Sequence, residues 1–129
     1  MIDLHAIQTE VEKLIRKAGA IILSASSSPV HQKGGHMNYV TDTDISIQAM
    51  LKNGLMALIP ECLFFAEEQE NEQLTDQYTW VVDPLDGTNN FIRGRKYSSV
   101  SIALLKDKKC ILFSSLSFKL FTILKYLLL

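Results

Sequence analysis

Asp83-Pro84-Leu85-Asp86-Gly87-Thr88 is the segment of this 129-residue chain whose chemistry is easiest to name. Two carboxylates stand three residues apart around a proline that fixes its own φ and restrains the residue before it. Hard cations such as Mg²⁺ take carboxylate and carbonyl oxygens. Asp83 can bridge two ions, Asp86 can bind one, and the Leu85 carbonyl lies between them. Gly87 permits close backbone approach by a ligand. If a short helix begins at Thr88, the Gly87 and Thr88 amides point at an incoming phosphate. A bare DxxDGT string is more often an Asp-rich turn with a helix cap. Its extension from Trp80 to Phe91 is what makes it specific.

Three further groups could join it. Glu67-Glu68 follows the apolar run Leu63-Phe64-Phe65-Ala66; the bland reading is an acidic loop, and the sharper one is a ligand at a second strand end. Asp42-Thr43-Asp44 reads first as a helix cap with dipole-stabilising acids. Asp44 could instead orient a metal-bound water or accept its proton. Lys33 would neutralise a phosphate or sit in solvent.

These residues need elements to hold them. Ile7, Val11, Leu14, Ala18 and Ile22, flanked by Ile15 and Ile21, predict a helix from about Asp3 to Ser24. Ser26-Ser27-Ser28-Pro29 stops it, and a loop runs to Asn38. A second helix starts near Asp42 or Thr43, with Ile45, Ala49, Leu51, Leu55 and Leu58 as its apolar face before Pro60. Residues 63–66 and 79–82 predict short strands, the second ended by Pro84. Tyr97 to Leu105 alternates as a strand, with Tyr97, Ser99, Ser101 and Ala103 on one side. A charged turn spans Lys106 to Lys109, and another strand begins near Cys110. The fold class expected is α/β, in layers: a helix pair packed on a mainly antiparallel sheet.

Composition bounds the function. The chain is 47% apolar and 21% charged with net charge −1, which excludes a polybasic binder of nucleic acid or membrane. Ten of its fourteen acidic residues fall between Asp42 and Asp86, where Lys52 is the sole base. Cys62 and Cys110 lack metal-ligand spacing and read as free thiols of a reducing cytosol. The N-terminus lacks the basic and apolar pattern of a signal peptide. Residues 111–129 stand apart: thirteen are apolar and none is acidic, but Lys119 and Lys125 break the run, so stable membrane insertion is not expected.

Val40-Thr-Asp-Thr-Asp44, Phe65-Ala-Glu-Glu68 and Trp80 to Gly94, in this order and spacing, resemble the inositol monophosphatase family, within the lithium-sensitive, Mg²⁺-dependent phosphatase superfamily. The resemblance covers roughly residues 1 to 110 and looks like the N-terminal half of such a protein. It implies a layered sugar-phosphatase fold. It also implies that Glu67, Asp83 and the Leu85 carbonyl hold a first Mg²⁺, that Asp83 and Asp86 contribute to a second, and that Glu67 holds a third through water. Gly87 and Thr88, with Asp86, would bind the substrate phosphate. Thr88 and Asp44 would activate the attacking water. Glu68 would stand behind the ligands, and Lys33 falls where the family often has a lysine. The substrate implied is a small-molecule phosphate monoester, foremost inositol monophosphate. Nucleotide 3′-bisphosphate or sugar-bisphosphate phosphatases are the runner-up, because Asp-Pro-Leu-Asp-Gly-Thr occurs there too; Asn89-Asn90-Phe91-Ile92-Arg93-Gly94 favours the former. The resemblance implies a cytoplasmic enzyme and allows a homodimer at full length.

The family's C-terminal half, with the Trp-Asp motif that completes the second metal site, has no match here. The expectation is a chain ending early, with residues 1–110 as family domain and 111–129 as an aberrant apolar tail. Such a chain would have impaired turnover or be a non-catalytic Mg²⁺- and phosphate-binding remnant.

Overall fold

Helix α1 (Leu4–Ser24) begins where Asp3 caps it: its Oδ1 accepts from the His5 and Ala6 amides at 3.1 and 3.2 Å. The carboxylate also faces the positive end of the helix. The computed structural model describes residues 2–24, 30–32, 39–66, 73–86, 99–117 and 122–127. Two helices pack on one side of a five-stranded mixed sheet. The strands are β3 (Leu63–Ala66), β4 (Thr79–Asp86), β5 (Ser99–Lys106), β6 (Lys109–Ser117) and β7 (Thr122–Leu127), in that spatial order. The β3–β4 pair is parallel and the other three are antiparallel. The expected layered architecture is therefore what the chain builds.

Alternation makes the core. Phe64, Ala66, Trp80, Val82, Val100, Ile102, Leu104, Leu112 and Leu116 all face the helices and are buried. Helix α1 answers with Ile7, Val11, Ile15, Ala18 and Ile22, and α2 (Asp42–Met56) with Ile47, Leu51 and Leu55. Helix α1 lies over β5 and β6, and α2 over β3 and β4. Gln8 is the polar exception on α1: its Nε2 donates to the buried Ser114 Oγ at 2.8 Å and so fixes the helix against β6.

Several expectations need correction. Residues expected as loop before Asn38 include β1 (Val30–Gln32), which pairs antiparallel with β2 (Tyr39–Thr41). Arms of three residues are too short to show an alternating pattern. In α2 the buried stripe is Ile47, Leu51 and Leu55; Ile45 is 53% exposed and Ala49 is exposed. Ile45 sits about 200° around the helix from Ile47, on the opposite side. In α1, Ile15 is central and Leu14 is the flank. Strand β4 does not stop before Pro84 but continues to Asp86.

The β5–β6 turn is two residues, Asp107 and Lys108, with φ of 54° and 63°. That matches the twist of a tight hairpin without its usual Asn-Gly. Of residues 111–129, the described part completes β6 and forms β7, with Ile111, Ile123 and Leu127 packed against the core. Lys125 reaches back to Glu12 of α1 at 2.7 Å. Among the described residues no helix is long and apolar enough to cross a membrane.

Candidate functional site

The end of β4 is irregular where the candidate ligands lie. Asp83 pairs with Ser101 and Asp86 with Ser99, so Pro84 and Leu85 together oppose Val100. This is a β-bulge, and it explains how proline enters the strand: the ladder is already broken there. The bulge changes the meaning of the three-residue spacing. A regular strand would divide positions 83 and 86 between two faces. Here they take a two-residue step against β5.

Asp83 is half-buried and lies on the sheet face opposite the helices, as its neighbours Trp80 and Val82 are buried beneath them. Ser101 is directly across from it, and Ser115 directly across from Ser101. The two serine hydroxyls are 3.0 Å apart. Neither serine was singled out as functional from sequence. The small-residue side of β5 was visible as Ser99, Ser101 and Ala103, but joining it to Asp83 and Ser115 requires the register of three strands.

Strand β3 supplies the second approach. It runs parallel to β4, and Ala66 pairs with Val82. The chain thus leaves β3 level with the residue before Asp83. Glu67 and Glu68 follow immediately; both lie outside the described residues, as do Gly87, Thr88 and Lys33. The expected helix start at Thr88 lies outside them as well.

Helix α2 supplies the third. It packs on β3 and β4, and residues 57–62 join its last turn to the start of β3. The helix therefore runs back along the strands for about 22 Å. Its first turn, with Asp44, is the end of the helix away from that connection.

The donors that β4 offers fit a hard divalent cation. They are the Asp83 carboxylate, the Leu85 carbonyl and the Asp86 position, all oxygen, with no thiol or imidazole among them. Among the described residues alone, no three His, Cys, Asp or Glu side chains cluster. Among the described residues, burial pushes the Cys62 thiol up, against smaller opposing effects of its own backbone and of Trp80. It lies at the start of β3, far along the strand from Asp83, with Sγ 3.5 Å from Met56 Sδ. The buried Trp80 indole N–H has no conventional hydrogen-bond acceptor among the described residues.

Known proteins share this family and fold. The Inositol monophosphatase family profile matches residues 3–113. Inositol monophosphatase 2 of Solanum lycopersicum is 39% identical over 100 residues, covering 73% of this chain and 38% of that protein. The crystal structure of the extragenic suppressor protein suhB from Bartonella henselae superposes with a TM-score of 0.85 at 28% identity. It covers 95% of this chain, which spans 49% of that one. A staphylococcal inositol monophosphatase-1 gives a TM-score of 0.89 at 22% identity, over 98% of this chain and 49% of the other. That last likeness speaks for the fold, and it takes in most of residues 111–129. The chain thus spans half or less of the proteins it matches.

Proposed function

The chain belongs to the inositol monophosphatase family, and we propose that it supplies the N-terminal part of a Mg²⁺-dependent phosphomonoesterase site acting on inositol monophosphate. The observation that carries this reading is the β4 bulge at Asp83–Asp86, level with the end of β3.

Glu67, Asp83, Asp86 and the Leu85 carbonyl are the residues that would hold Mg²⁺. When bound, such ions supply charge for the developing oxyanions and acidify water. The chain's own residues do the rest. Gly87 and Thr88 offer backbone amides to the phosphate, whose charge needs fixed donors rather than a covalent partner. Asp44 with Thr88 orients the attacking water and takes its proton as the ester P–O bond breaks. Glu68 steadies Glu67, and Lys33 offsets phosphate charge. The substrate is a small-molecule monoester, and the setting is cytoplasmic, without nucleic acid or membrane. Lithium sensitivity and homodimer formation by the full-length protein belong to the same reading.

Calorimetric titration of the purified 129-residue chain with Mg²⁺, beside Asp83→Asn and Glu67→Gln, tests the site. Saturable binding in the parent that both substitutions weaken supports the reading; equal binding in all three overturns it. Phosphate release from inositol 1-phosphate, with a nucleoside 3′,5′-bisphosphate in parallel, tests the substrate. Faster release from the nucleotide would favour the alternative substrate class. Binding without release would favour the non-catalytic reading.

A further inference from the structure

Asp83, Ser101 and Ser115 form one row across β4, β5 and β6. Each is directly opposite the next in register, and all three are half-buried on the face away from the helices. Directly opposed side chains in antiparallel strands lie about 5 Å apart at Cβ. The Ser101 and Ser115 hydroxyls are 3.0 Å apart, a hydrogen bond in which either can donate. Each hydroxyl carries one proton and can accept others. If Ser115 donates to Ser101, the Ser101 proton is left to point toward β4, where the carboxylate of Asp83 is its cross-strand neighbour.

The next row toward the bulge is polar as well, with Asp86 paired to Ser99, Ser99 to Ser117 and Ser117 to Thr122; in the other direction the face continues to Ala103 and Leu105 on β5 and to Phe113 on β6. On β7 the residue opposite Ser115 is Leu124. The polar row thus starts at the carboxylate and stops after two hydroxyls. It also sits on the side of the bulge where the β4–β5 register is regular.

We propose that Ser101 and Ser115 are positioning residues for Asp83: a serine relay that holds its carboxylate in the orientation in which it binds a divalent cation. This inference rests on the reading of Asp83 as a metal ligand. Partners behind a metal ligand fix its rotamer and tune its basicity, and losing one typically weakens metal binding by about tenfold or more. Ser101, next to Asp83, carries the larger share. Ser115 acts through Ser101, so its loss matters only while Ser101 keeps its hydroxyl.

Mn²⁺ affinity of the 129-residue chain, followed by electron paramagnetic resonance of the free ion, tests this alongside thermal melting. Ser101→Ala should weaken Mn²⁺ binding by about tenfold. Ser115→Ala should weaken it by a smaller factor, and the double substitution should match Ser101→Ala. Ser101→Thr, which keeps the hydroxyl, should restore binding. Undiminished affinity in Ser101→Ala, while Asp83→Asn loses the ion, overturns the relay and leaves the metal site standing. Weakened binding in both Ser101→Ala and Ser101→Thr, with lowered melting temperatures, also overturns it, because the role is then packing. Absent Mn²⁺ binding by the parent chain, or equal binding by Asp83→Asn, overturns the metal-site reading itself and the relay with it.

Discussion

The two faces of the five-stranded sheet are built from the same strands by alternation, and they differ in kind. Toward the helices stand Trp80, Ile102, Leu104 and Leu112, all at 0% exposure, together with Val82 and Leu116. The other face carries Asp83, Ser101 and Ser115, with Val81 at 37%, Leu124 at 70% and Tyr126 at 49% exposed. One face spends its residues on burial. The other carries the candidate ligand and its polar neighbours. Neighbouring residues of one strand therefore stand in different surroundings: Val82 in the core, Asp83 half-buried on the open face as a candidate ligand. The difference predicts that substitutions one position apart separate stability from metal binding.

The largest effect belongs to the helix-covered face. Ile102→Ala removes a side chain that the helices fully enclose, and should cost roughly 2–5 kcal/mol of unfolding free energy in urea titrations. A loss under about 1 kcal/mol would mean that the core closes around the gap, which a well-packed layer resists. Asp83→Asn, on the opposite face and nearly isosteric, should leave unfolding almost unchanged while reducing Mg²⁺ affinity at least about tenfold, some 1.4 kcal/mol of binding. The two variants exchange roles if the faces are assigned correctly: one fails in urea, the other in the metal titration.

How far these contrasts were legible in the sequence depends on how local each signal is. The family was readable because Asp83, Asp86, Gly87 and Thr88 fall within six residues, and backbone reach ties them together whatever the sheet does. The helix pair was readable from periodicity over many turns of α1. Ile45 misled because a short helix offers more than one plausible apolar stripe, and the sheet it packs on chooses between them. Strand β4 was cut short at Pro84 because proline ends a regular ladder; a bulge removes that objection, and nothing local announces a bulge. The Ser101–Ser115 pair was hidden for the opposite reason. Its residues are unremarkable in sequence and acquire meaning only from the register of three strands.

The cysteines extend the comparison to chemistry. Cys62 is buried under the helices, whereas Cys110 is exposed at the start of β6. Burial raises the Cys62 thiol above its ordinary range, so the folded state favours the protonated form. Its contribution to stability is therefore complete below the ordinary thiol pKa and declines as pH rises toward the raised folded value. Cys62→Ala should flatten the fall of unfolding free energy above about pH 8.5, by comparison with the parent over the same range. With a thiol reagent, Cys110 should react at once and Cys62 only as the chain unfolds. Equal rates would show that the helix layer over Cys62 opens freely.

The smallest effect is expected at the far edge of the open face. Leu124 is 70% exposed on β7 and lies across from Ser115. Its strand neighbour Lys125 points the other way, to Glu12 on α1. Leu124→Thr keeps β-propensity while removing exposed apolar surface, so its unfolding free energy should stay within about 0.5 kcal/mol of the parent. Lys125→Met should cost no more than about 1 kcal/mol, since the Lys125 side chain is itself mostly exposed. Both sit on one edge strand, so together they test whether β7 is held by its ladder to β6 and by Ile123 and Leu127 rather than by these two side chains. A loss above about 2 kcal/mol at Leu124 would mean that this residue is enclosed like Ile102, and the contrast between the faces would then end short of β7.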